Sequence, residues 1–293
     1  MFAASLRYCL GGSILLVISW GWRSMPLASF RQVANCCFTG LVMIVAGYAL
    51  VFWSSTRLQS WIVAVLVSTS WLWTYLAECW LLRLQRVRAV VLVPLIAGLA
   101  GIPILSVGSL HLRDSNSLLA AGAVLISSFF WSLGTIMIKR VPLPECPFQA
   151  SGLQLLSAGI VLGVLSWRLG DCKHLLFREV IGNVTLMAWM AYLVLGASVI
   201  GFSAYHWLLQ RESPTLVATF VYVNPIVALA LGIGVAHERF SGVQLAAAAA
   251  ILVSVLQVWR THAPLQRDPL KFSEWQEALL SNSALAADPE SSI

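Results

Sequence analysis

The sequence predicts an all-α polytopic membrane protein, and three observations carry that prediction. Of 293 residues, 59% are hydrophobic and only 10% charged, too little charge to cover a soluble surface of this size. The apolar residues gather into runs of about 20, the length a helix needs to cross a bilayer core of about 30 Å. These runs lack the alternating segments of about ten residues that a membrane β-barrel requires.

Nine spans follow in order, near 3–22, 33–53, 61–82, 88–107, 117–138, 147–168, 184–208, 215–236 and 241–259. Turn and charge clusters such as "RSMPLASFR", "SSTRLQS", "LRLQRVR", "KRVPLPECP" and "QRESP" separate them. The first span reads as a retained helix, because residues 3–20 are too long for the apolar part of a signal peptide and no small-residue cleavage site follows. Beyond Arg260 the composition turns polar. In that tail, 261–293, Phe272, Trp275 and Leu279 stand at helical spacing near Lys271, which fits either a short helix on the inner leaflet or plain disorder.

The net charge of +6 is distributed among loops, so no nucleic-acid partner is expected. With the loop after the first span in the cytoplasm, Arg23, Arg31, Arg83, Arg86, Arg88, Lys139, Arg140 and Arg211 lie inside. Arg57, Arg113, Arg168, Lys173, Arg178 and Arg239 then lie outside. This bias favours an external N-terminus and a cytoplasmic C-terminus. Of the six cysteines, Cys9, Cys36, Cys37 and Cys79 sit within spans and their spacing fits no metal pattern. No span contains an aspartate, and no P-loop, HExxH or GxSxG occurs. Neither a catalytic site nor a metal or cofactor is therefore expected, and the chain reads as neither enzyme nor primary pump.

The chain repeats internally. Gly12, Leu15, Val17, Ser19 and Trp20 of "RYCLGGSILLVISW" meet Gly159, Leu162, Val164, Ser166 and Trp167 of "QLLSAGIVLGVLSW". Two spans later, "STSWLWT" (68–74) falls where "YVNPIVA" (222–228) falls in the second copy. The second copy has one helix, 117–138, before its matching helix, whereas the first copy has none. The pattern is four helices over 1–110 and five over 117–260, a five-plus-five repeat without its first helix. An odd number of helices per repeat inverts one copy relative to the other, the architecture of many secondary transporters.

Over 128–259 the sequence resembles the EamA-type permeases of the drug/metabolite transporter superfamily. The resemblance rests on "SFFWSLGTIMIKR", Gln154, "GASVIGFSAYHWLL", and "SP" followed by "VATFVYVNPIVALALGIGVAHE". In the first half, Arg7 fits the family's arginine, while Trp71 stands where a proline is usual and Leu84 where a glutamate would match Glu238. The resemblance implies a carrier that exports a small metabolite or drug-like solute, driven by the proton gradient. The alternative is a truncated or non-transporting membrane subunit, or a ten-helix permease whose start lies upstream of Met1. The partners this implies are a small solute and the bilayer; a homodimer is compatible with it.

Several residues are out of place in apolar spans. Pro225 removes a backbone hydrogen bond and Asn224 adds a donor and an acceptor, so this stretch must face protein or a wet cavity. Tyr222, Asn224 and Pro225 read either as a kinked packing helix or as cavity lining, which the resemblance favours. Arg7 either snorkels or clamps an anion or hydrogen-bonding group at the outer mouth of the pathway. The repeat sets Gln154 at the corresponding level of the other half, and Trp131 falls on the family motif as an aromatic wall or a packed core residue. Glu78 reads as an ion pair with Arg83 and Arg86 or as a proton-coupling carboxylate. His206 reads as a titrating group or a plainly hydrogen-bonded one. Runs such as "GASVIG" let helices approach closely.

Overall fold

The computed structural model describes residues 1–21, 28–58, 60–82, 115–170, 183–222 and 242. Every described element is helical: α1 Phe2–Gly21, α2 Phe30–Ser55, α3 Ser60–Val67, α4 Ser70–Ala77, α5 Ser115–Arg140, α6 Pro147–Leu169, α7 Val184–Arg211 and α8 Pro214–Val217. Five of them, α1, α2, α5, α6 and α7, are long and apolar enough to span a bilayer, within three residues of their predicted bounds. The expected spans at 88–107 and 241–259, most of 215–236, and the tail 261–293 lie outside the described residues.

Local chemistry sets the helix ends. Ser29 caps α2, accepting from the Gln32 backbone N–H while the Gln32 side chain accepts from the Ser29 N–H, a reciprocal box that starts the helix before its apolar run. Asn183 caps α7 by accepting from the N–H groups of Thr185 and Leu186. Pro147 opens α6, where its missing N–H is harmless. Gly170 closes α6 with a φ of 78°, a left-handed turn suited to glycine.

The structure corrects the expectation of an unbroken helix at 61–82. The span is interrupted at Ser68 and Thr69, resumes as α4, and ends in a π-helical stretch, Glu78–Leu82. Hydropathy is blind to this break. The Ser68 and Thr69 hydroxyls donate back to the carbonyls of Ala64 and Leu66 at 2.9 and 2.7 Å, competing with the helix ladder. Both α2 and α7 also carry π-helical stretches, Leu41–Ala46 and Leu193–Gly201.

The described residues belong to two compact units, each drawing on both sequence repeats. The first comprises Met1–Phe52 with Leu133–Ser213, the second Trp53–Ser132 with the chain from Pro214 onward.

In the first unit α1 and α6, the two helices matched by the repeat, pack antiparallel. A Cβ on Gly12 would lie 2.7 Å from the Leu156 nitrogen and 2.9 Å from the Gly152 oxygen. A Cβ on Gly159 would lie 2.8 Å from the Cys9 nitrogen and 3.1 Å from the Ser5 oxygen. The correspondence that carries Gly12 onto Gly159 also carries Leu156 onto Cys9 and Gly152 onto Ser5. It likewise relates the contact of Gly152 with Leu16 to that of Gly163 with Ser5. The seam thus has local two-fold symmetry, with glycines where the backbones touch. Trp20 and Trp167, another matched pair, are 83% and 71% exposed at the helix ends, suited to an interfacial position.

At one end of this unit Gln32, Asn35 and Gln210 donate side-chain hydrogen bonds to the carbonyls of Leu143, Pro142 and Glu145. The start of α2, the α5–α6 loop and the end of α7 therefore share one end.

In the second unit two hydroxyls one turn apart on α5 brace the break at Ser68–Thr69. Ser128 donates to the Leu66 carbonyl at 3.4 Å and Ser132 to that of Ser70 at 2.6 Å. Thr74 donates to Ser132 at 3.0 Å. Side-chain hydroxyls here satisfy backbone groups that lipid could not.

Candidate functional site

The first unit holds two polar clusters, each built around one member of the matched pair Arg7 and Gln154. On α6 the Gln154 side chain is fully buried. Its Nε2 donates to Thr39 Oγ1 at 2.8 Å, and its Oε1 meets His206 Nε2 at 2.8 Å. Thr39 is a donor to the Asn35 carbonyl at 2.8 Å, so toward Gln154 it acts as acceptor. That fixes the amide orientation and puts the imidazole proton on Nε2. A continuous chain, His206 to Gln154 to Thr39 to Asn35, joins α7, α6 and α2. His206 is 1% exposed and packs beside the Phe202 ring at 5.3 Å between centroids.

On α1 the Arg7 guanidinium is half-buried. Its Nε donates to Ser198 Oγ at 2.9 Å and Nη1 to Tyr48 Oη at 3.3 Å. Its centre lies 5.0 Å from the Tyr8 ring centroid and 6.0 Å from that of Tyr48, within cation–π range. Tyr8 and Tyr48 meet edge to face at 5.5 Å. Arg7 and Gln154 thus use the same plan, each bonding one residue of α2 and one of α7. From the antiparallel seam they stand about five residues apart along the helix axis, roughly 7–8 Å at 1.5 Å per residue.

A buried hydroxyl pair lies in the same unit, where Thr135 and Tyr205 share a hydrogen bond at 2.6 Å.

The second unit places Glu78 at the start of α8. The Glu78 carboxylate, 1% exposed, accepts from the Thr215 backbone N–H at 2.9 Å and also from the Thr215 hydroxyl. The Thr215 carbonyl in turn accepts from the Trp71 indole N–H at 3.0 Å. Trp71 stacks on Tyr75 at 5.7 Å with parallel planes. Both polar groups of the Thr215 backbone are thereby held by the helix that carries Trp71 and Glu78. Arg83 and Arg86, the expected ion partners of Glu78, lie outside the described residues.

Of the predicted site residues, Gln154 and His206 are in direct contact and Arg7 shares their unit. Trp131, half-buried on α5, and Glu78 belong to the second unit. The chain tightens to a 3₁₀ turn over Ala218–Tyr222; Asn224 and Pro225 lie outside the described residues. Sequence reasoning missed Thr39, Tyr48, Ser198 and Thr215. Ser198 was legible only as part of the small-residue run "GASVIG". It does allow close approach, since a Cβ on Gly11 would lie 2.7 Å from Ser198 Cβ, but its hydroxyl also holds Arg7.

Apolar rods whose buried polar side chains pair with one another define a polytopic membrane protein with a polar interior, the organisation of membrane transporters. Residues 118–260 match the EamA-like transporter family. The chain is similar to the uncharacterized inner membrane transporter YedA of Escherichia coli strain K12, 30% identical over 263 residues that cover 88% of this chain and 81% of YedA. It is 25% identical over 173 residues to a chloroplastic WAT1-related protein of Arabidopsis thaliana, covering 56% of this chain and 40% of that protein. A solved crystal structure aligns with 90% of this chain and 88% of its own at a TM-score of 0.67 and 18% identity, a likeness of fold. The chain belongs to the EamA-like transporter family and is an integral membrane protein.

Proposed function

We propose that the chain is a secondary transporter of the bacterial inner membrane, exporting a small metabolite or drug-like solute by alternating access around a midplane cavity between inverted repeats. The observation that carries this reading is the pair of polar clusters at Arg7 and Gln154, related by the two-fold seam and set inside apolar rods. A protein selected for packing alone has little use for an arginine and a histidine at such positions, since ionisable groups within spans are costly. The grouping of helix ends in the first unit also supports the orientation. Arg31, Lys139, Arg140 and Arg211 belong to the segments that share one end of the first unit, which suits a cytoplasmic face, an external N-terminus and a cytoplasmic tail.

The test is to express the full chain in a bacterium and compare solutes in cells and medium by mass spectrometry against an empty vector. The expected result is at least one small solute depleted inside and enriched outside, the difference vanishing when a protonophore collapses the proton gradient. Unchanged profiles at verified membrane expression would contradict export. Glu78→Gln resolves the role of the carboxylate: it keeps an acceptor for Thr215 but cannot titrate. Retained, gradient-driven export would make Glu78 a helix cap, whereas folded protein that has lost its response to the gradient would make it the coupling group.

A further inference from the structure

We infer that the Arg7 cluster is a recognition site for the carboxylate of a small organic anion, which gives the exported solute its chemical class and rests on the transporter reading above. The chain supplies its own comparison. Arg7 and Gln154 occupy matched positions and bridge the same two helices. The bridging task needs no charge, because at Gln154 a neutral amide performs it with both side-chain atoms satisfied and nothing exposed. At Arg7 the chain carries a permanent positive charge instead, inside an apolar span where an ionised group is costly.

Among the described residues no carboxylate pairs with Arg7, and its acceptors there are two hydroxyls. A guanidinium has five N–H donors, and described residues engage two of them, one on Nε and one on Nη1. The Tyr8 and Tyr48 rings lie over the guanidinium, and Ser198 and Tyr48 fix its rotation. What remains is an oriented set of N–H groups on Nη1 and Nη2 and a charge that no described carboxylate compensates, the complement of a carboxylate that accepts two parallel hydrogen bonds. The half-buried setting of Arg7 and Tyr48 leaves room for approach, and the aromatic flank suits a ring-bearing probe.

The experiment uses the full chain purified in a neutral detergent without phosphate, with benzoate as probe, its isosteric neutral amide benzamide as control, and added phosphatidylglycerol as a lipid anion. Tryptophan fluorescence and thermal unfolding report binding. Benzoate is expected to bind and to raise the unfolding temperature, benzamide to do neither, and Arg7→Gln to weaken benzoate about tenfold or more, as loss of a charge-assisted bidentate pair implies. Arg7→Lys keeps the charge without the fork and falls between the two. Because glutamine already serves at the matched position, Arg7→Gln is expected to elute as a monodisperse species. If Arg7→Gln does not fold, the contrast of benzoate with benzamide on the wild type and on Arg7→Lys decides the matter. Equal effects of benzoate and benzamide, benzoate binding that survives Arg7→Gln, or stabilisation by phosphatidylglycerol alone would each overturn the assignment. The two readings fail separately. Arg7-dependent benzoate binding without any solute export sinks the transporter and leaves the site, whereas export of neutral solutes unaffected by Arg7→Gln does the reverse.

Discussion

Adding one methyl group to Gly12 is expected to force α1 away from α6 and to cost the protein much of its stability. The new Cβ would meet backbone atoms at 2.7 and 2.9 Å, which no rotamer change can relieve. Overpacking of this kind costs about 1–3 kcal/mol in cores that can adjust, and a contact made by two helix backbones can adjust least. The local two-fold symmetry sharpens the expectation: Gly159→Ala wedges the same seam against Cys9 and Ser5 and is expected to do comparable damage. Because either change separates the same two helices, the double variant should lose less than the sum. Gly122→Ala is the control, with nothing within 4 Å of its added Cβ and a gain in helix propensity of about 1 kcal/mol. The readout is the monodisperse fraction surviving a heating series in detergent. A Gly12→Ala protein as stable as Gly122→Ala would mean that α1 and α6 do not touch as described.

The second large effect is expected along the chain from His206 to Thr39. Gln154→Leu leaves the buried His206 N–H without an acceptor, and a buried donor stripped of its partner costs about 1–3 kcal/mol. His206→Phe leaves the Gln154 carbonyl oxygen in the same position and should cost a similar amount. The double variant, Gln154→Leu with His206→Phe, orphans neither group and is expected to be more stable than either single one, since removing both partners is nearly neutral where removing one is not. Simple addition of the two losses would dissolve the pairing. A stable double variant that no longer exports would assign the chain a part in transport; one that still exports would make it a structural brace.

These expectations show what sequence does and does not encode here. Five spanning helices were legible because a rod in lipid must be uniformly apolar for about 20 residues, and little else competes with that demand. The interruption at Ser68–Thr69 was not, because two hydroxyls donating to their own backbone leave hydropathy untouched. The π-helical stretches in α2 and α7 are equally silent in composition. Arg7, Gln154, Glu78 and His206 stood out as polar residues in apolar runs. Their partners Thr39, Tyr48, Ser198 and Thr215 did not, since hydroxyls are ordinary in membrane helices and only the fold decides which of them meet. The repeat, read from a handful of matched residues, found Gly12 and Gly159 but could not reveal that the matched helices pack on each other.

Alternating access requires the polar interior to open in turn to the two sides of the membrane, and Ser198 is the place to measure it. Ser198 is 1% exposed in this structure, so a thiol there can react only in another conformation. The measurement is labelling of Ser198→Cys, with the native cysteines replaced, by a membrane-impermeant maleimide applied to intact cells and to everted vesicles, with the 52%-exposed Leu195 as Leu195→Cys for a lipid-facing control. Alternating access predicts labelling of the Ser198→Cys thiol from both sides, above the control in each. Labelling from one side alone, or from neither, would contradict it.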